Sequence, residues 1–241
     1  MPSKLANPHA QADEPQVLRL ESSPLSALEN DIPKTPRRPG SSSGPSQRPT
    51  EFRKFLENEE LPLTIESSKY LGVTNAGRRV VWTTNLDQLD LSHFLPLCIG
   101  GILESLEPYP SFAFDAAMQL LESGVHDTRL LRCLPQIIAQ IKGALSTREK
   151  DVVHRALLII QQLVVCDRVG EALADYYRAI LPLCNILQDR HLGTGEDLTR
   201  HLVGDTLELL EAYGGDDAQF SIQQYVPTFT CQFPSDRFVC T

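Results

Sequence analysis

The residue types best suited to chemistry gather late in the chain. His191 and His201 lie close in sequence to Glu196, Asp197 and Asp205, a mixture of imidazole and carboxylate that could hold a divalent metal or relay protons. Their spacing is that of a polar loop running into a helix start, without the His-Glu-x-x-His pattern that sets two ligands on one helical face. Gly193-Thr194-Gly195 lacks the preceding strand and following lysine of a phosphate-cradling loop, and there is no Gly-x-Ser-x-Gly elbow. His93 and His154 fall in helical patterns as packed or surface histidines, and Glu59-Glu60 is exposed charge. The six cysteines, Cys98, Cys133, Cys166, Cys184, Cys231 and Cys240, form no Cys-x-x-Cys pair. Four lie within or beside apolar helical patterns, where a free thiol behaves as a small hydrophobe. That pattern points to a reducing, intracellular compartment and away from a zinc site or a disulfide framework. The expectation is no catalytic constellation, no metal site and no cofactor, so function must come from surfaces.

The elements that build those surfaces are organised around residues 130–187. Leu134, Ile137, Ile138, Ile141 and Leu145 recur at helical spacing, with Gln136, Gln140 and Lys142 on the other side. The following segment, from Asp151 to Cys166, is apolar over most of its circumference, which requires neighbours on several sides. Ile160 is expected at its centre, and Gln161 is expected to tolerate alanine. A proline within an apolar helical pattern recurs at Pro96, Pro135 and Pro182, separations of 39 and 47 residues. Helical HEAT and armadillo repeats have periods of roughly 40–47 residues. Such prolines either open a helix or kink it.

Upstream, the stretch from Glu51 to Glu57 begins a short amphipathic helix with Phe52, Phe55 and Leu56 on one side. Leu61–Ile65 and Val80–Thr83 are β-favouring runs, expected to form a small hairpin with Arg78 and Arg79 near its tip. Further helices are expected over Leu89–Leu106, from a Ser111 cap to Gly124, over Gly170–Leu187, and from Asp197 to Tyr213 before Gly214-Gly215. Phe220–Phe233 is expected to be a closing segment. The fold class is therefore all-α: an armadillo/HEAT-like helical-repeat solenoid with a small N-terminal β-hairpin and a disordered tail. The expected divisions are a Pro/Ser-rich tail at 1–49, the helical domain at 50–233 and a C-terminal tail at 234–241. The first fifty residues hold nine of the seventeen prolines and too few large apolar groups to offset ordering entropy.

No apolar run approaches the length of a membrane span, and the N-terminus lacks the apolar core of a signal peptide. The net charge is −9, and from residue 51 onward 16 basic groups face 26 acidic ones. So acidic a body is a poor general binder of nucleic acid.

A further set of residues runs along nearly the whole non-tail region: Phe52-Arg53-Lys54-Phe55, Leu61-Pro62, Trp82, Leu89-Asp90, His93, Leu95-Pro96-Leu97, Gly101, Glu104 and Pro108-Tyr109. It continues through Leu134-Pro135, Gln161-x-Leu163-Val164-Val165, Val169-Gly170, Tyr176-Tyr177-Arg178-x-Ile180-Leu181-Pro182, Tyr213-Gly214-Gly215 and Tyr225-Val226-Pro227-Thr228. In these the sequence resembles the parkin co-regulated protein (PACRG) family over about residues 50–233. The resemblance implies an armadillo/HEAT-like protein of the cytoplasm and cytoskeleton, in the ciliary or flagellar axoneme. It implies a structural, non-enzymatic role: joining the A- and B-tubules at the inner junction of doublet microtubules and stabilising them. The implied partners are α/β-tubulin, a small β-rich inner-junction protein and other axonemal inner proteins, with neither nucleic acid nor membrane. The alternative is a soluble α-solenoid adaptor that binds chaperone or trafficking proteins. The tail and the segment Ser67–Arg79 depart from the family pattern. Tubulin is acidic, so complementarity with an acidic body must be local. The basic candidates for microtubule contact are Arg37, Arg38, Arg48, Arg53, Lys54, Arg78 and Arg79.

Overall fold

A computed structural model of the chain describes residues 48–67, 78–189, 194 and 196–230. They form helices α1 (Glu51–Glu57), α2 (Leu91–Gly101), α3 (Tyr109–Ser123), α4 (Arg129–Thr147), α5 (Lys150–Val164), α6 (Val169–Leu173), α7 (Tyr177–Gln188), α8 (Asp197–Tyr213) and α9 (Ala218–Tyr225). Between α1 and α2 lies one small sheet of β1 (Leu63–Ser67) and β2 (Arg78–Trp82). The strands are antiparallel, with Leu63 opposite Trp82 and Ser67 opposite Arg78. A two-stranded ribbon is marginal by itself. Here Val80 is buried, and its carbonyl accepts Gln119 Nε2 of α3 at 3.1 Å. Residues 1–47, 68–77 and 231–241 lie outside the described residues, and with them the segment between the strands, the expected C-terminal tail at 234–241 and all but the last two residues of the expected tail at 1–49.

The helices pack in pairs that repeat. α2 lies on α3, α4 on α5, and α7 on α8. Across the pairs, α4 touches both α2 and α7, while α5 touches both α3 and α8. Two rows result, α2–α4–α7 and α3–α5–α8. α5 also meets α6, so it has neighbours on several sides, as its apolar circumference requires. Val153, Ala156, Leu157, Ile159, Ile160, Leu163 and Val164 are all buried there. α4 keeps one apolar side, burying Leu134, Ile137, Ile138, Ile141 and Leu145.

All three repeated prolines sit inside helices, and all in the first row: Pro96 in α2, Pro135 in α4 and Pro182 in α7. Each removes one amide from its helix ladder and frees a carbonyl one turn back.

Several expected boundaries move. The helix expected over 89–106 starts after Asp90, whose carboxylate accepts the Ser92 amide at 3.1 Å. It closes at Gly101, because the amides of Ile102, Leu103 and Glu104 bond carbonyls only three residues back, a tightening that ends the α-ladder. α3 starts two residues before the expected cap, with Pro110 in its first turn. Ser111 instead donates its hydroxyl to Glu107 at 2.9 Å. The expected helix 170–187 is broken into α6, a 3-10 turn at Ala174–Tyr176, and α7. The aromatic closing segment is α9 followed by buried Val226 and Phe229. Gln161 also departs from expectation. It is half-buried, and its Nε2 donates to Leu202 O at 3.3 Å and Thr206 Oγ1 at 3.0 Å, tying α5 to α8.

Candidate interaction surface

Of the basic positions expected to face a partner, the structure leaves some free and engages others. Arg37 and Arg38 lie outside the described residues. Arg48 is exposed, as are Arg78 and Arg79 at the start of β2. Lys54 is exposed but holds Glu51 at 2.6 Å, a pair within one turn of α1. Arg53 is engaged internally. Its Nε donates to Glu57 at 2.8 Å, its NH1 lies 3.6 Å from Glu104, and its guanidinium covers the Tyr109 ring at 4.8 Å. Arg53 is therefore a packing element of the N-terminal region, and the remaining described candidates lie apart: Arg48 before α1, Lys54 on α1, and Arg78 and Arg79 on β2.

Glu104 is the centre of that region, and its side chain is only 3% exposed. It accepts the Thr50 amide at 3.0 Å and the Thr50 hydroxyl at 3.2 Å through one oxygen, and the Ser105 amide at 3.2 Å through the other. Thr50 also caps α1, accepting the Arg53 amide at 3.4 Å. One carboxylate thus fixes the start of α1 against the α2–α3 turn. Tyr109 completes the clamp, its hydroxyl donating to Glu57 at 2.8 Å. Behind it, a Cβ added at Gly101 would come within 2.7 Å of Phe52 and 2.6 Å of Ala113. Only glycine lets buried Phe52 approach α2 so closely. A chain of edge-on ring contacts, Phe55 to His93 to Phe94 to Trp82, carries this packing to the hairpin.

Burial raises the Glu104 pKa, but the donated bonds, led by Thr50, outweigh it, so the net shift is down from the ordinary 4.5. A carboxylate with a depressed folded pKa adds stability that is complete above its free value and is lost as pH falls through the folded value. Glu104→Gln is expected to destabilise by about 1–2 kcal/mol at neutral pH, since bonds to a charged acceptor are the stronger kind. The gap from the wild type should shrink as pH falls below the ordinary 4.5 and through the lowered folded value. Thermal melts of both proteins from pH 7 to pH 3 measure this, and a constant gap would remove the ionised carboxylate from the account.

The residues suited to chemistry are not brought together. His201 and Asp205 are exposed on α8, and His191 lies outside the described residues. Glu196 faces His154, 3.6 Å from its Nε2, and that nitrogen lies 2.8 Å from Thr199 Oγ1. Among the described residues no three metal-ligating side chains share a site. Cys98, Cys133, Cys166 and Cys184 are buried and free, and burial pushes the Cys166 thiol up to about 11 and Cys184 up to about 12. Such thiols are poor nucleophiles at neutral pH. No helix among the described residues is long and apolar enough to cross a membrane.

The family described as Parkin co-regulated protein matches residues 50–231, nearly all of the helical region. The chain belongs to the parkin co-regulated protein family. It is also 34% identical over 230 residues to the Parkin coregulated gene protein homolog of Mus musculus, covering 91% of this chain and 92% of the relative.

Several of the residues that carry the PACRG-family resemblance meet at two close approaches. The first is the clamp above, where Phe52, Arg53, Gly101, Glu104 and Tyr109 meet. The second joins the α6–α7 segment to the end of α8. A Cβ at Gly170 would lie 2.6 Å from the Tyr213 carbonyl oxygen. The Tyr177 hydroxyl donates to Leu210 O at 2.8 Å, satisfying a carbonyl of the last turn of α8. The burial of Tyr177 raises its phenol to about 12.

Sequence reasoning about contacts overlooked the first row of helices. α2, α4 and α7 contain no aspartate or glutamate, whereas α3 and α8 together carry six carboxylates against the single Arg200. The signal was present in the local composition, but the total charge obscured it.

Proposed function

We propose that this chain is a structural, non-enzymatic protein of the ciliary axoneme, which binds tubulin and helps to join the A- and B-tubules at the doublet inner junction. Membership of the PACRG family over residues 50–231 carries this reading. The repeated pairs α2/α3, α4/α5 and α7/α8 are, on this proposal, successive units of an armadillo/HEAT-like solenoid, an architecture whose long surfaces bind other proteins. The rows of neighbouring helices support it. Arg48, Arg78 and Arg79 are exposed and free of ion pairs among the described residues, which keeps them candidates for lattice contact. Arg53 and Lys54 would contribute mainly through the packing of α1.

Extraction of isolated cilia is the test. A junction component should remain with the doublets after detergent and leave only as salt screens its contacts. Quantitative release by detergent alone would overturn the proposal and favour a soluble adaptor. In solution, full-length protein should pellet with microtubules at low salt and less so as salt is raised.

A further inference from the structure

The charges of this acidic protein are segregated by helix row. α2, α4 and α7 lie side by side and contain no carboxylate, but they carry Arg129, Arg132, Lys142 and Arg178. Arg129 is engaged, bonded to Asp127 and to the carbonyls of Leu89 and Asp87. Arg132, Lys142 and Arg178 are exposed, and none takes part in an ion pair among the described residues. Among the described residues they are therefore cations with no internal use.

Their setting is low in relief. The outward stripe of α4 passes from Arg132 through Pro135, Gln136 and Ala139 to Lys142 and Gly143, all exposed. A Cβ at Gly143 would meet nothing within 4 Å. The neighbouring stripe of α7 starts at Arg178 and continues to Asn185, also exposed. Ten residues of helix separate Arg132 from Lys142 by about 15 Å, and packed helix axes lie about 8–10 Å apart. Short uncharged side chains leave the three cations prominent. The nearest acids in sequence lie at the helix ends: Asp127 and Glu149 flank α4, and Asp175 and Asp189 flank α7.

We infer that the outer face of α4 and α7 is a docking surface for a carboxylate-rich protein surface. Charge complementarity selects this occupant. The face has no large exposed apolar group to suit an apolar partner: those among the described residues are Ile65, Leu106, Leu198, Tyr213 and Phe220, all on other elements. A nucleic acid is disfavoured because its dense phosphates would meet a molecule of net charge −9 through only three free cations on this face. The inference extends the microtubule reading by naming the face that would meet acidic tubulin.

The test uses full-length protein and two charge-reversed variants with the same change in net charge. The first carries Arg132→Glu, Lys142→Glu and Arg178→Glu. The second carries Arg48→Glu, Arg78→Glu and Arg79→Glu. Circular dichroism checks folding, and the milder pair Lys142→Gln with Arg178→Gln serves if the first variant unfolds. Fluorescence anisotropy of a labelled twenty-residue polyglutamate peptide measures binding across a salt series. The first variant should bind at least about tenfold more weakly than wild type and show a flatter salt dependence, while the second loses far less. Equal loss in both variants, loss confined to the second, or no binding by the wild type would overturn the inference. Equal or tighter binding of a twenty-nucleotide oligouridylate would also overturn it, by making the face a general polyanion site. Microtubule pelleting of the same proteins separates the two proposals: peptide binding through this face without pelleting of the wild type would sink the microtubule reading and leave the docking face standing.

Discussion

Ile160→Ala is expected to destabilise the protein by about 2–5 kcal/mol. Ile160 is fully buried on α5, the helix that touches α3, α4, α6 and α8 at once. A cavity there can be filled only by moving several helices together, so relaxation recovers little of the lost contact. For a domain of this size each kcal/mol lowers Tm by about 2–4 °C. The adjacent Gln161→Ala should cost about 1 kcal/mol. It removes the two bonds to α8, though Thr206 still satisfies Leu202 O at 2.6 Å. Denaturant melts of the two variants provide the comparison, and equal midpoints would misplace the core.

Gly214→Ala is expected to cost about 2–4 kcal/mol, combining overpacking with a damaged buried hydrogen bond. The backbone at Gly214 has φ −85°, which any residue adopts, so the requirement is space. A Cβ there would run into the Tyr177 hydroxyl and the Leu210 carbonyl, the two partners of the bond that closes α8, and lie 2.8 Å from Ala218. Tyr177→Phe alone should cost about 1–2 kcal/mol, because Leu210 O loses its donor. In the double variant the phenyl ring leaves room that the hydroxyl filled, so the two costs should add to less than their sum. Strict additivity in a thermal-melt cycle would show that Gly214 and Tyr177 are not coupled through this contact.

Local information ended where a contact joins residues remote along the chain. The apolar period located α4, α5 and α8 to within a few residues, because burying one side of a helix demands that period whatever it packs against. The break between α6 and α7 had no such marker: Ala174, Asp175 and Tyr176 are compatible with a continuous helix, and the 3-10 turn occurs where Tyr177 turns inward to reach Leu210. Arg53 read as a free cation although Glu57, its nearest partner at 2.8 Å, is four residues on in the same helix; its buried partner Glu104 is far away in sequence. Gln161 read as tolerant because its partners lie more than forty residues away on α8.

By itself the sequence determined the helical class, the hairpin, the four buried cysteines and the family, since each is carried by composition, short-range period or an ordered set of motifs. Tertiary structure alone decided which charges are spent and which are free. It tied Arg53 to Glu104, Arg129 to the carbonyls before α2, and Arg155 to Glu107, and left Arg132, Lys142 and Arg178 facing outward. It also decided which glycines are needed, because the space at Gly101, Gly170 and Gly214 is set by Phe52, Tyr213 and Tyr177. Ion pairing and close packing depend on distances between residues remote along the chain, and those distances exist only once the helix rows have formed.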